Sequence, residues 1–368
     1  MHSGSAAVDV FNTSGWQVGD IPPVIAAVTG SRGLGGNDKI QVQCIAYSTD
    51  GGKTFMKYEG NPVVGKEQHL LKSPKDQRDP KILWYSPTKG RDATAKDGYW
   101  AMVVFEGSNS KWHAIFTSKD LKNWERHGKV TGFYECPELF PLAVDGNKDN
   151  VKWVMYGGDG EYHIGFFDGK TYTPETKNKI RMNYGSRYYA AQTFNNTPKG
   201  PDGQERRIQV GWMDKIMSTP VEMTLRNTPL GLRVCMLPVK ELENLHASTK
   251  KLDGLKLADG AANPLAGLES GLYNIDLVAD VSKVSQLNLR VCGTTLVLDP
   301  KSGRLEFGRS KITLPKSDKL HLRIVVDNWS TEIYAGEHGL YHMPVSVWGR
   351  QRDLDLSVKV GEAVLEKL

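Results

Sequence analysis

A hairpin that recurs along the chain limits its fold more than any other feature. Residues 40–58 run Ile-Gln-Val-Gln-Cys-Ile-Ala-Tyr-Ser-Thr-Asp-Gly-Gly-Lys-Thr-Phe-Met-Lys-Tyr, a strand, a tight glycine turn and a second strand. The order strand, aspartate turn, aromatic returns at Phe116–Trp124 and at Phe166–Tyr172. The turn residues Asp50, Asp120 and Asp168 lie 70 and 48 residues apart. That spacing accommodates about four strands per unit, as in β-propeller blades with an imperfect repeat. Further strands read at Tyr99–Phe105, Trp112–Phe116, Val151–Tyr156 and Ile208–Trp212, while residues 3–9 read as a loop entering a strand. Helical periodicity is nearly absent, with Pro238–Ala247 the best short candidate.

The pattern changes near residue 250. Lys250-Lys251-Leu252-Asp253-Gly254 reads as a linker. Beyond it come short alternating runs, among them Tyr273–Ala279, Leu287–Cys292, Leu320–Val326 and Leu354–Val358, with turns between and no blade-like repeat. The expectation is an all-β chain: a propeller over residues 1–250 and an accessory β-sandwich over 251–368. A total of 368 residues is enough for two such cores.

The net charge is +5, but both signs are mixed along the chain without a long basic block. Nucleic acid is therefore not an expected partner. No apolar run reaches the roughly 18 residues a membrane helix needs. The four cysteines, Cys44, Cys136, Cys235 and Cys292, have no paired spacing, which argues against a zinc site. No metal or organic cofactor is expected. The first residues show no export signal, and the compartment is left open.

Two short motifs carry candidate chemistry. In Phe133-Tyr134-Glu135-Cys136-Pro137-Glu138-Leu139-Phe140 a carboxylate stands between apolar and aromatic neighbours. Such neighbours desolvate a carboxyl and raise its pKa, which suits a general acid at neutral pH. Gln77-Arg78-Asp79-Pro80 precedes an apolar strand, and its arginine can hold a charged carboxylate at a loop mouth. Asp79 lies 56 residues before Glu135, about one blade, so the two are expected to meet at the end of a central funnel. A pair of carboxylates flanking a sugar is the usual equipment of glycoside cleavage.

Arg78-Asp79-Pro80 and Glu135-Cys136-Pro137 resemble the paired signatures of family 32 glycoside hydrolases, the β-fructosidases (invertases, inulinases, levanases). Other segments fall in the family's order: Ser3–Asp9, Asn12–Gly15, Phe167–Thr171, Tyr189–Phe194, Gly211-Trp212-Met213 and Leu322–Tyr334. Pro220–Arg226 and Pro238–Leu242 are most similar to the levanase and exo-inulinase branch. The resemblance implies a five-bladed propeller followed by a sandwich, acting on fructans or sucrose. It makes Glu135 the general acid/base and Asp79 the transition-state stabiliser. Arg78 would bind the fructosyl unit, with Ser3, Tyr189 and Gln192 on the pocket wall.

The chain departs from the family pattern in one main respect. The family's nucleophilic aspartate sits in a Trp-Met-Asn-Asp-Pro-Asn-Gly block in the first blade, and no such block occurs in these 368 residues. Three arrangements are consistent with this: a truncated form, a natural four-bladed variant, or one piece of a split protein. A missing blade would expose sheet faces and edges, so a lone truncated propeller is expected to self-associate or close up. Smaller departures fall at His2, at Arg187 and Tyr188, and in the shortened Asp214–Met217 loop. A rival reading starts from Ser48–Phe55, which fits the Asp-box turn of sialidases, but no arginine triad or tyrosine nucleophile can be assigned. A second rival is a non-catalytic carbohydrate-binding propeller, with nine Trp and fourteen Tyr as stacking surface.

Overall fold

The three turn aspartates close equivalent hairpins. In the computed structural model, Asp50 Oδ1 accepts the N–H groups of Lys53 and Thr54 at 3.0 Å each. Asp120 Oδ1 accepts those of Lys122 and Asn123 at 2.9 and 2.8 Å, and Asp168 Oδ1 those of Lys170 and Thr171 at 2.8 and 2.7 Å. Only the first of these turns fits the Asp-box pattern in sequence. The shared geometry needs just an aspartate ahead of two free N–H groups, so the flanking residues can vary.

The structure describes residues 3–33, 39–65, 76–88, 96–107, 111–185, 188–201, 203–268, 270–346 and 353–368. His2 and Arg187 lie outside them. By contacts the chain groups into two units, Met1–Ile180 with Ala190–Arg207, and Arg181–Tyr189 with Ile208–Leu368.

The first unit holds three antiparallel four-stranded meanders. They are β1 Gly4–Val8, β2 Val24–Gly33, β3 Lys39–Ser48 and β4 Met56–Lys57; then β5 Gln77–Tyr85, β6 Tyr99–Glu106, β7 Trp112–Ser118 and β8 Glu125–Thr131; then β9 Glu138–Val144, β10 Asn147–Tyr156, β11 Glu161–Phe167 and β12 Tyr172–Pro174. Each turn aspartate joins the third strand of its meander to the fourth. These are propeller blades. β10 starts earlier than the sequence indicates, because a register shift between Asn147 and Val151 keeps the polar start of the strand paired.

Strand period explains how the blades stack. In the middle blade Ile82, Trp100, Met102, Val104, Ala114 and Phe116 point into a core shared with the first blade. Their neighbours Leu83, Tyr85, Ala101, Val103 and Ile115 point into a core shared with the third. A sheet covered on both faces must be apolar throughout, and Trp100–Phe105 is buried without interruption. Each large side chain so buried contributes about 1.5–3 kcal/mol.

In the second unit β17 Val221–Thr228 pairs with β18 Gly231–Pro238 in a long antiparallel hairpin. The sandwich follows, a six-stranded and a five-stranded sheet closed over one core that includes Leu277, Leu289, Leu298, Phe307, Ile324 and Leu356. Its strands alternate, buried then half-buried, as in Lys319–Val326, because one face is packed and the other is wet. The helical candidate at 238–247 is a short 3₁₀ turn, Lys240–Leu245, with no buried residue to hold a longer helix. Among the described residues no helix is long and apolar enough to cross a membrane.

Candidate functional site

The site forms where β5 starts and where the loop before β9 passes it, both in the first unit. Two non-glycine residues there take left-handed backbone, Asp79 at φ 62° and Cys136 at φ 49°. Such conformations cost of order 1–3 kcal/mol each and persist only where the surroundings enforce them. At Asp79 the enforcement is visible. The ladder between β5 and β6 shifts register between Arg78 and Lys81, and Pro80 has no N–H to continue it. The bulge sets Asp79 and Pro80 outside the ladder, while Arg78 stays paired with Phe105.

Asp79 is 3 % exposed. Its N–H donates to Thr29 Oγ1 at 2.9 Å. Its Oδ2 accepts from the N–H of Cys136 at 3.1 Å and lies 3.6 Å from Cys136 Sγ. Arg78 Nε is 3.5 Å from the same oxygen. Burial raises the Asp79 pKa, with the hydrogen bond from Cys136 and the charge of Arg78 opposing it and the negative charge of Glu135 adding to it. Burial also drives the Cys136 thiol well above its ordinary value, and the nearby carboxylates reinforce this, so it packs as a neutral donor.

Glu135 faces Arg78. Nε of the guanidinium donates to Glu135 Oε2 at 3.1 Å, and Nη2 pairs with the same oxygen. Nη1 pairs with Asp76. One guanidinium therefore serves three carboxylates, and its face rests on the Phe105 ring, 4.7 Å from the centroid. Burial works against the Arg78 charge, but Glu135 and Asp79 outweigh it and raise its pKa. The sequence reading surrounded Glu135 with apolar groups. The structure sets an arginine against it and leaves its side chain 19 % exposed. The reason is position: Glu135 precedes β9 and stands on a loop, where alternation into a core does not apply.

That loop is fixed from behind. The N–H of Gly158 donates to Glu135 O at 2.8 Å, and a Cβ on Gly158 would lie 3.2 Å from the same oxygen, so a bare α-carbon permits the approach. His113, fully buried, stacks on Phe133 at 5.3 Å with Nε2 3.4 Å from Tyr134 O. Burial lowers the His113 pKa to about 3, which keeps the ring neutral.

Deeper along the same two strands lies a sealed polar cluster. Lys81 Nζ pairs with Glu138 Oε1 at 3.0 Å and donates to Thr193 Oγ1 at 3.1 Å. The Thr193 hydroxyl donates to Glu138 Oε2 at 2.6 Å, and Arg207 Nη1 donates to Phe194 O at 3.0 Å. Lys81 and Glu138 are 1 % and 0 % exposed.

Of the residues expected to form the site, the structure brings Arg78, Asp79 and Glu135 together. Ser3 stands exposed just before β1, and Gln192 is half-buried in the strand β14 Tyr189–Thr193, which follows the short β13 Ile180–Arg181. Tyr189 belongs to the second unit, where its ring faces Trp212 at 6.5 Å. Sequence reasoning missed Asp76, Thr29 and Phe105. Asp76 was legible as an acid two residues from Arg78; the other two reach the site only through strand pairing. Among the described residues no group of three or more His, Cys, Asp or Glu is arranged to hold a metal. A small cleft elsewhere in the unit, beside Phe11, Trp84 and Trp153, has Glu205 as the one carboxylate among its described lining residues. Chemistry that needs two carboxylates points to the rim instead.

Comparison with known proteins gives the family and the fold. The profile of the Glycosyl hydrolases family 32 N-terminal domain matches residues 1–252. The chain is 33 % identical to a levanase of Bacillus subtilis (strain 168), over 91 % of this chain and 54 % of the levanase. It is 37 % identical to an extracellular exo-inulinase of Meyerozyma guilliermondii, over 54 % of this chain and 38 % of that protein. The chain thus spans about half, or less, of these curated relatives. Among solved structures, an exo-inulinase from Aspergillus awamori superposes with TM-score 0.78 at 22 % identity, covering 98 % of this chain and 81 % of that one. A β-fructofuranosidase from Schwanniomyces occidentalis, complexed with fructosyl-erythritol, gives TM-score 0.78 at 23 % identity, covering 99 % and 81 %. Both show the same fold, propeller blades followed by a sandwich.

Proposed function

We propose that this chain, which belongs to glycosyl hydrolase family 32, releases fructose from fructans such as levan or inulin, or from sucrose. One observation carries the reading: Arg78 bridges Asp79 and Glu135 at a strained rim, with Asp79 buried and Glu135 half-buried. The names of its relatives, levanase, exo-inulinase and β-fructofuranosidase, support the substrate class.

Glu135, partly exposed and on a loop fixed through Gly158, protonates the leaving oxygen as the fructosyl bond breaks; a water molecule supplies the oxygen that ends on the anomeric carbon, and its proton restores Glu135. Asp79 contributes differently. Its Oδ2 is occupied by Cys136 and Arg78, so Oδ1 is the atom to accept sugar hydroxyls. Hydrogen bonds to a buried carboxylate strengthen as positive charge grows on the ring. Arg78 holds both carboxylates in register and is exchanged in part for substrate hydroxyls on binding. Ser3 and Gln192, in the same unit, complete the sugar contacts.

The alternative reading is a carbohydrate-binding propeller that holds the same sugars without cleaving them. Fructose release from levan, inulin and sucrose, measured beside Glu135→Gln, separates the two. Release that vanishes in the variant supports the hydrolase. Sugar binding with no release supports the binding protein.

A further inference from the structure

Behind Asp79 runs a hydrogen-bond chain with a single direction. Trp112 Nε1 and Arg126 Nη2 donate to Glu106 Oε2, each at 2.7 Å. Gln77 Nε2 donates to Glu106 Oε1 at 2.7 Å. Gln43 Nε2 donates to Gln77 O at 2.8 Å, and Gln43 Oε1 accepts from Thr29 Oγ1 at 2.9 Å. Thr29 Oγ1 then accepts the N–H of Asp79 at 2.9 Å. Thr29 and Gln43 are 0 % exposed, Glu106 1 % and Gln77 2 %. No member can turn without leaving a buried polar group unpaired, at about 1–3 kcal/mol per group.

The chain grips β5 at two points, Gln77 and Asp79, on either side of Arg78. Gln77 lies just before the register shift, and Asp79 lies within it, where the ladder between β5 and β6 is interrupted. The contact at Asp79 is made to backbone in the left-handed region, at φ 62°. A network that served stability alone would have no reason to end there.

We infer that Thr29 and Gln43 are positioning residues for Arg78 and Asp79: through the Asp79 N–H and the Gln77 carbonyl they fix how the guanidinium and the buried carboxylate face Glu135. This statement rests on the fructosidase reading of the same site. Neither residue touches substrate. They act by holding the bulge in one conformation, and a displacement of about 1 Å at such a site can cost on the order of 100-fold in rate.

Thr29→Val keeps the shape and removes the hydroxyl, whereas Thr29→Ser keeps the hydroxyl. The expected result is a fall in kcat for fructose release of roughly 10- to 100-fold in Thr29→Val, with KM changed by less than about threefold. Thr29→Ser should recover to within about threefold of the parent. A Thr29→Val enzyme with the parent kcat overturns the inference. So does Thr29→Ser falling as far as Thr29→Val. Should Thr29→Val not fold, Gln43→Met is read in its place with the same expectations. Asp79→Asn and Glu135→Gln run alongside. If both retain full release, the fructosidase reading fails; if both lose it while Thr29→Val does not, the positioning inference fails alone. If the folded parent binds sugar without releasing fructose, the affinity of each variant for levan oligosaccharides by calorimetry is read instead, and an unchanged Thr29→Val overturns the inference. A folded parent that neither releases nor binds overturns both.

Discussion

Two ionic clusters sit three residues apart on the same pair of chain segments and do opposite things. At the rim, Arg78 faces Asp76, Asp79 and Glu135; deeper in, Lys81 and Arg207 surround Glu138. The inner cluster is sealed, with the Lys81 ammonium at one oxygen of its carboxylate and the Thr193 hydroxyl at the other. Burial pulls Lys81 and Arg207 below their ordinary pKa values, with Glu138 opposing in both cases. The rim has an excess of acid, left-handed backbone and a carboxylate that solvent partly reaches. Residue types alone do not separate a structural ion pair from a catalytic one. Charge balance, backbone strain and access to solvent do.

That contrast can be broken by mutation. Glu135→Gln should lower fructose release about a thousandfold while leaving the denaturant midpoint nearly unchanged, because the role proposed for the group is proton transfer and not packing. Lys81→Met should do the reverse in kind: unfolding free energy from urea titration drops by about 3–5 kcal/mol, since Glu138 is left buried and unpaired. The double change Lys81→Met with Glu138→Leu should recover most of that loss.

Asp79→Asn sharpens the comparison through pH. The folded-state pKa of Asp79 is raised, so the folded protein holds that proton more tightly than the unfolded chain. Stability from this group is therefore lost as pH rises from the unfolded value, about 3.9, through the folded one. Asp79→Asn should be more stable than the parent at pH 7, and the difference should shrink toward pH 4. A variant less stable at neutral pH would place Asp79 with the structural cluster.

The smallest effect belongs to the turns. Asp168→Ala removes hydrogen bonds to Lys170 and Thr171 and should cost about 1 kcal/mol. Burial pushes the Asp168 pKa up, but those hydrogen bonds outweigh it and hold it low. Its contribution is therefore present above the unfolded pKa and fades as pH falls below it, the opposite sign to Asp79. Parallel thermal melts of the two variants across pH show the crossing directly.

Much of this was legible in the sequence. The strand, aspartate turn, aromatic order gave the blades, and alternation after residue 250 gave the sandwich, because both depend on local turns and the period of a strand. Arg78, Asp79 and Glu135 were found as short motifs. Thr29 and Gln43 were not, since they look like ordinary polar residues in a strand. Only the pairing of β2 with β3, and the packing of the first blade on the second, turns them toward Asp79. The environment of Glu135 was misjudged for a related reason: sequence neighbours were apolar, but the spatial neighbour is Arg78, from another blade.

The most direct test is fructose release from levan, inulin and sucrose by the purified chain, with Glu135→Gln and Asp79→Asn measured beside it. A fructosidase site at the rim predicts release by the parent and loss in both variants, with all three proteins folded to the same degree. Equal release by all three, or a folded parent that releases nothing, would contradict it.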